Sequence, residues 1–224
     1  GRGREVLSVA RGSDLLIIMC DVNSIRRLDT MISSLEKVGI RINQVPPQIN
    51  IEKKVKGGII IHSNIKQDLE IQTIKGIAKE FGFANAEITL KEKFTLEKII
   101  DAFSKNRVYI PAIFVINKID LEQNTNRLGH RENYIAISSQ ENIGLDKLKE
   151  LIWETLGFVR VYLVRPDQEP SFQNPIVMNK DNSLSQVAVK LGSEFSEEKK
   201  KAKIWGKGAK FPGQEVSLTT KVAE

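Results

Sequence analysis

The chain has little of what marks a metal centre, a disulfide scaffold or a membrane protein. A single cysteine, Cys20, among 224 residues excludes a disulfide framework and a cysteine-based metal site. It falls in the apolar run from Leu15 to Cys20, where a buried strand residue is expected, and a reducing cytoplasm is its natural setting. Two histidines, His62 and His130, are too few for a histidine-rich metal centre. No apolar run approaches the ~18 residues that span a bilayer, and no basic-apolar-small signal stretch opens the chain, so no membrane segment is expected. Also missing is G-x-x-x-x-G-K-[ST], the loop whose backbone N–H groups cradle phosphates. Gly206-Lys207-Gly208 has neither the second half of that pattern nor its strand-to-helix setting.

What is present has an ordinary globular balance, 41% apolar and 28% charged, in a chain long enough for more than one domain. The net charge of +6 is spread along the chain, with local clusters at Lys53-Lys54-Val55-Lys56 and Lys199-Lys200-Lys201-Ala202-Lys203. Such clusters read as solvated surface or as contacts to a phosphate backbone.

The most informative stretch is Pro111 to Asp120. Apolar residues from Ala112 to Ile116 run straight into Asn117-Lys118-Ile119-Asp120, as a strand buried on both faces does when its carboxyl end opens into a site. An ionised Asp is acceptor-only and can take two parallel hydrogen bonds. Asp120 therefore suits the ring N–H and exocyclic amino group on one edge of guanine, a pair that adenine does not offer. Asn117 can both donate and accept, which suits the imidazole side of the base, and the stem of Lys118 can lie across the base face. Ile119 would point the other way. Taken alone, the four residues read equally as the polar turn after any strand.

A second segment repeats the pattern. Tyr134-Ile135-Ala136-Ile137 reads as a buried strand leading into Ser138-Ser139-Gln140, and an amphipathic helix is expected from about Leu145 to Leu156. By themselves Ser138 and Ser139 also fit a helix-capping loop. The order strand-NKxD then strand-SSQ resembles the fourth and fifth guanine-recognition motifs of the regulatory GTPases. That resemblance implies that the backbone N–H of Ser139 meets the guanine keto oxygen while Ser138 buttresses the Asp. The usual middle residue is Ala, so Ser139 departs from the pattern at a contact made by the backbone.

The N-terminal segment sharpens the likeness. A short helix-like piece leads to the strand from Asp14 to Asp21, and a helix follows from about Ile25 to Val38 with Leu28, Ile32, Leu35 and Val38 on one face and Gly39 as its cap. Gly1 to Asp21 resembles the segment after the third nucleotide motif in the developmentally regulated GTP-binding proteins, a branch of the Obg-like GTPases. No aspartate-x-x-glycine step is found, and the chain does not begin with Met. On the resemblance, both ends read as cut, with the phosphate loop, both metal ligands and the first switch expected upstream of Gly1.

Residues 40–106 interrupt the strand-helix alternation and read as a small α/β insert. Pro46-Pro47 and a lysine-rich stretch lead to Gly57-Gly58, read as a turn because no helix follows it. Then come Ile59-Ile60-Ile61, a helix from about Leu69 to Phe81 with Asp68 as N-cap, a strand from Ala86 to Leu90 and a helix after Thr95. From Phe158 the composition changes. Val159 to Pro166 alternates like a surface strand, Ile176-Val177-Met178 reads as a strand, Ser183 starts a helix through Leu191, and Ala202 to Gly206 reads as a further strand. With Gln214-Glu215-Val216 this resembles a TGS domain, a ubiquitin-like β-grasp module, in which Trp205 reads as core rather than as a base-stacking platform.

The expected architecture is therefore α/β: residues 1–39 and 107–158 form the C-terminal half of a doubly wound, mostly parallel P-loop GTPase domain, 40–106 the insert, and 159–224 an incomplete TGS domain. The resemblance implies a cytoplasmic GTP-binding switch protein linked to translation and ribosomes. Guanine would be bound by Asn117, Lys118, Asp120, Ser138, Ser139 and Gln140, with GTP or GDP as ligand and ribosome, RNA or a regulatory protein as partner. Mg²⁺ is expected in the full-length family without ligands here, no residue of the chain is assigned a catalytic role, and the polypeptide alone is expected to bind GTP weakly without hydrolysing it. The competing reading is a non-catalytic RNA- or ribosome-binding adaptor whose nucleotide site is vestigial.

Overall fold

A computed structural model describes residues 2–121, 134–164, 171–192 and 201–223. His130, Arg165, Pro166, Pro170, Lys199 and Lys200 lie outside the described residues. The chain divides into two compact units, Gly1–Tyr134 and Ile135–Glu224. Among the described residues no helix is long and apolar enough to cross a membrane.

The first unit runs α1 (Arg2–Arg11), β1 (Leu16–Asp21), α2 (Arg27–Lys37), β2 (Ile40–Ile42), β3 (Ile49–Lys53), β4 (Ile59–Ser63), α3 (Ile71–Glu80), β5 (Ala86–Leu90), α4 (Leu96–Phe103), β6 (Val108–Ile110) and β7 (Ala112–Asn117). Its strands are mostly paired in parallel, as the α/β reading requires. β1 runs parallel to β7 in register from Leu16↔Ala112 to Asp21↔Asn117, so both strands end at one edge. β2 runs parallel to β6. The expected face of α2 packs inward: Leu28 and Leu35 are buried in a core with Ile18, Ile40, Ile42, Ile110 and Ala112, and Ile32 and Val38 lie against it. Tyr134, which begins β8 (Tyr134–Ala136), stacks its ring 5.3 Å from Phe114 at the edge of the same core.

Residues 49–103 form a second core of their own. The sheet order is β3-β5-β4, with β3 antiparallel and β4 parallel to β5. One face packs Ile59, Ile88 and Leu90 against Ile74, Phe94, Ile99 and Phe103. The strict alternation of β5, buried at Ala86, Ile88 and Leu90, is the period-2 pattern of a sheet covered on one side. Gly57 and Gly58 take φ of +108° and +73° and lead into a strand, so they form the turn the sequence indicates. Thr95 caps α4, its hydroxyl accepting the Lys98 N–H at 3.3 Å.

Two local expectations change. Asp68 does not cap α3, which starts after Glu70 in extended conformation with no side-chain cap; the Asp68 carboxylate pairs instead with Lys93 at 2.7 Å. Ile40 and Ile42, placed by sequence in the insert, share the first core, because β2 pairs with β6 rather than with β3. Asp101 joins the two cores: it takes two hydrogen bonds from Arg41 (2.5 and 2.8 Å) and one from Arg107 (2.6 Å). Burial alone would push its carboxyl up, but these guanidinium bonds outweigh that and hold it below its ordinary value.

In the second unit, after β8, come α5 (Leu145–Thr155), β9 (Phe158–Val161), β10 (Ile176–Asn179), α6 (Leu184–Leu191), β11 (Lys201–Ile204) and β12 (Gln214–Ser217). β9 and β10 form one antiparallel ribbon and β11 and β12 another. Ser183 and Gln186 make a capping box at the start of α6, Gln186 Oε1 accepting the Ser183 N–H at 2.8 Å. The core here is thinner: Val159, Met178, Val187 and Val222. β9 ends at Val161, short of the strand read from the alternation to Pro166. Trp205 is not core; it is 49% exposed just past the end of β11, its ring lying over Gly213 of its own ribbon.

Candidate functional site

Asn117 ends β7, and the chain turns there through a backbone that only a set of local bonds can hold. Lys118 sits at φ +64°, a left-handed conformation costly for a non-glycine residue. Its N–H donates to Asn117 Oδ1 at 2.8 Å, and its carbonyl accepts the N–H of Leu121 at 3.1 Å, closing the single 3-10 turn Ile119–Leu121. The Asn117 carbonyl accepts the Val22 N–H at 3.2 Å, which ties the ends of β1 and β7 together.

Asp120 lies in that 3-10 turn, exposed, with no hydrogen bond or ion pair to another described residue. An exposed carboxylate at the mouth of a parallel sheet can accept two parallel N–H donors from a ligand. Lys118 is also exposed, and its ammonium lies 3.6 Å from Asp21 Oδ2. Asp21 was not singled out by sequence, although the pattern held a signal: it ends the other strand of the parallel pair, directly opposite Asn117. Its carboxylate accepts the Ser24 hydroxyl and the Asn23 N–H. The Ser24 hydrogen bond, helped by the charge of Lys118, holds the Asp21 carboxyl below its ordinary value. The neighbouring Cys20 thiol is pushed up, by burial first and by the Asp21 charge second.

The loop from Ser138 is built differently. Ser138 is fully buried, and Ser138 and Ile143 exchange backbone hydrogen bonds of 3.0 Å in both directions. The Ser138 hydroxyl accepts the Glu141 N–H at 3.1 Å, so a side chain fills the centre of a turn whose rim is backbone. Ser139 and Gln140 are exposed on that rim. Neither serine caps α5. The N-cap is Gly144 at φ +74°, where a Cβ would stand 2.5 Å from the carbonyl oxygen of Ala136, so only glycine closes the loop without displacing the backbone.

Of the six residues named by sequence, Asn117, Lys118 and Asp120 belong to the first unit and Ser138, Ser139 and Gln140 to the second. Within the first, the structure brings Asn117 and Lys118 together with Asp21. Among the described residues no three His, Cys, Asp or Glu side chains converge as a metal site would need. The Mg²⁺ implied by the resemblance finds no fitting ligand set among them.

Comparison with known proteins bears on both loops. A family model described as the C-terminal region of the MMR_HSR1 domain matches residues 56–158, a span that contains all six residues. A GTP-binding protein of Methanocaldococcus jannaschii is 38% identical over 234 residues, covering 100% of this chain and 59% of that protein. Developmentally-regulated GTP-binding protein 2 of Homo sapiens is 33% identical over 223 residues, covering 98% of this chain and 61% of the relative. Developmentally-regulated GTP-binding protein 1 of Xenopus laevis is 35% identical over 222 residues, covering 96% and 60%. The chain thus spans about three-fifths of the length of these relatives.

Proposed function

This chain belongs to the developmentally regulated GTP-binding protein family over the portion of those proteins that it spans, and from that premise we propose that it binds guanine nucleotides through the base. The Asp120 carboxylate takes the ring N–H and amino group of guanine, the Lys118 stem covers one face of the base, and Asn117 braces the loop. Ser139 donates its backbone N–H to the keto oxygen, Ser138 holds that loop in shape, and Gln140 lies at its edge. The observation that carries this reading is Asp120 itself, an exposed acceptor without a partner among the described residues, on a turn closed by the Leu121 N–H to the Lys118 carbonyl. In the whole protein the nucleotide is GTP, and its hydrolysis works a switch. Residues 159–224 act as a TGS module of β-grasp type, and residues 49–103, which hold a core of their own, as an inserted domain, in a protein of the cytoplasm. Calorimetric titration of the chain with GDP and ADP tests the base reading: GDP must bind at least tenfold more tightly, and equal affinities refute it.

One further observation favours a ribosomal or RNA partner beside the nucleotide. The basic loop after β3 is held in shape by Asn85, whose Oδ1 accepts the Gly58 N–H at 2.8 Å and whose amide donates to the Val55 carbonyl at 3.3 Å. It presents Val55 at 97% exposure beside Lys56. A preformed basic loop loses little entropy on docking to a phosphate backbone. Co-sedimentation with ribosomes across a salt series tests it: log affinity must fall linearly with log salt, and a flat response refutes phosphate contact.

A further inference from the structure

Asp21 lies outside the base-recognition motifs, yet it is the residue on which the Lys118 side chain is anchored. Its carboxylate does two separable things. One oxygen, Oδ1, accepts the Ser24 hydroxyl and the Asn23 N–H, which fixes the turn after β1. The other, Oδ2, faces the Lys118 ammonium at 3.6 Å. The lysine is held at its other end too, because its backbone is locked at φ +64° by the bonds to Asn117 and Leu121. A lysine stem fixed at both Cα and Nζ spans the carboxyl edge between β1 and β7 as a bar of methylenes.

We infer that Asp21 is a positioning residue for guanine: by tethering the Lys118 ammonium it lays the lysine stem out as a flat apolar shelf beside Asp120 before any nucleotide arrives. This rests on the guanine reading above and adds to it a residue from a different strand. An ordinary exposed ion pair would do little, since two flexible side chains lose rotamer freedom to meet in high dielectric. Here both partners are partly set in place beforehand. Asp21 is oriented by two donors, and the lysine backbone is locked in place. The ordering of a long side chain therefore occurs on folding, and the bound base does not have to offset it. Strained non-glycine residues at left-handed φ cluster at ligand clamps, where surrounding bonds over-determine them. Lys118 fits that description through bonds made by both its backbone and its side chain.

The test is a double-mutant cycle in nucleotide affinity, with GDP as the probe and ADP as the base control. Asp21→Asn keeps an amide oxygen for Ser24 and Asn23 and loses the charge that holds Lys118. Lys118→Met keeps the apolar stem and loses the ammonium. Ser24→Ala removes one of the two donors to Asp21 Oδ1 and keeps the Asn23 N–H and the Oδ2 charge that faces Lys118. We expect Asp21→Asn and Lys118→Met each to weaken GDP binding about tenfold, and the double mutant to be no weaker than Lys118→Met alone, as coupled residues behave. Ser24→Ala should change GDP affinity less than threefold, and Asp21→Glu, whose longer arm still reaches the ammonium, should recover most of the loss. Losses that multiply in the double mutant, or an Asp21→Asn affinity within twofold of the parent, overturn the tether. If Asp21→Asn melts early, the same cycle is read with Asp21→Ala at a temperature where it is folded, with the same two outcomes deciding. A parent chain that does not prefer GDP to ADP sinks the guanine reading itself, a result distinct from any failure of Asp21.

Discussion

The two loops assigned to the base are held by opposite means. Asn117 to Asp120 is an open turn whose shape depends on side chains from two strands and whose functional carboxylate is left to solvent. Ser138 to Ile143 is closed on itself: reciprocal backbone bonds seal it, a buried hydroxyl fills it, and a glycine lets the chain pass where a Cβ would not fit. The first offers side-chain chemistry and the second offers backbone. Specificity should therefore be lost by changing one functional group in the first loop, whereas damage to the second should register as a loss of folding before it registers as a loss of recognition.

The largest expected effect is at Asp120. Asp120→Asn replaces one acceptor oxygen by a donor, so one of the two guanine donors meets another donor. GDP affinity should fall about a hundredfold or more, as it does when a site built for a polar pair is left mismatched, and xanthine diphosphate, whose edge is complementary to an amide, should gain. Competition between GDP and xanthine diphosphate on parent and variant reads this directly. An unchanged preference removes Asp120 from the site. Gly144→Ala comes next and acts on stability instead. A left-handed φ costs a non-glycine residue about 1–2 kcal/mol, and the contact with the Ala136 carbonyl must be relieved on top of that, so about 3 kcal/mol should be lost. Urea unfolding of the chain checks it; a loss below about 1 kcal/mol would mean the second loop is less tightly closed than its bonds indicate.

How much of this was legible in the sequence follows the same division. Ala112 to Asn117 announces a buried parallel strand because both faces are apolar, and β5 announces a one-sided strand because it alternates; each pattern is local and each held. The starts of α4 after Thr95 and of α6 at Ser183 were legible for the same reason, since a helix start is satisfied within four residues. What failed was set at a distance. Asp68 has the chemistry of an N-cap, but Lys93 claims its carboxylate and the helix starts later. β2 joins the first core because of a partner far along the chain, β6. Trp205 has the hydropathy of a core residue, and its two-stranded ribbon places it against Gly213 with half its surface in solvent. At the candidate site, the tetrapeptide was readable, while the carboxylate that steadies it, on Asp21, required the β1–β7 register to be known.

The smallest expected effect is the one that most directly separates a backbone contact from a side-chain contact. Ser139 is exposed on the rim of the second loop, and its proposed gift to the base is an N–H that every residue but proline carries. The loop is sealed between Ser138 and Ile143 by backbone bonds that do not involve the side chain at 139. Ser139→Ala should therefore leave GDP affinity within about twofold and the unfolding midpoint nearly unchanged, since surface substitutions of this kind stay within about 0.5 kcal/mol. Ser139→Pro removes the N–H itself and should cost about tenfold in GDP affinity, the scale of one lost hydrogen bond to a ligand. If alanine were as damaging as proline, the hydroxyl and not the backbone would be the group in use. The second loop would then resemble the first in its chemistry, and the contrast between an open side-chain turn and a closed backbone turn would no longer hold.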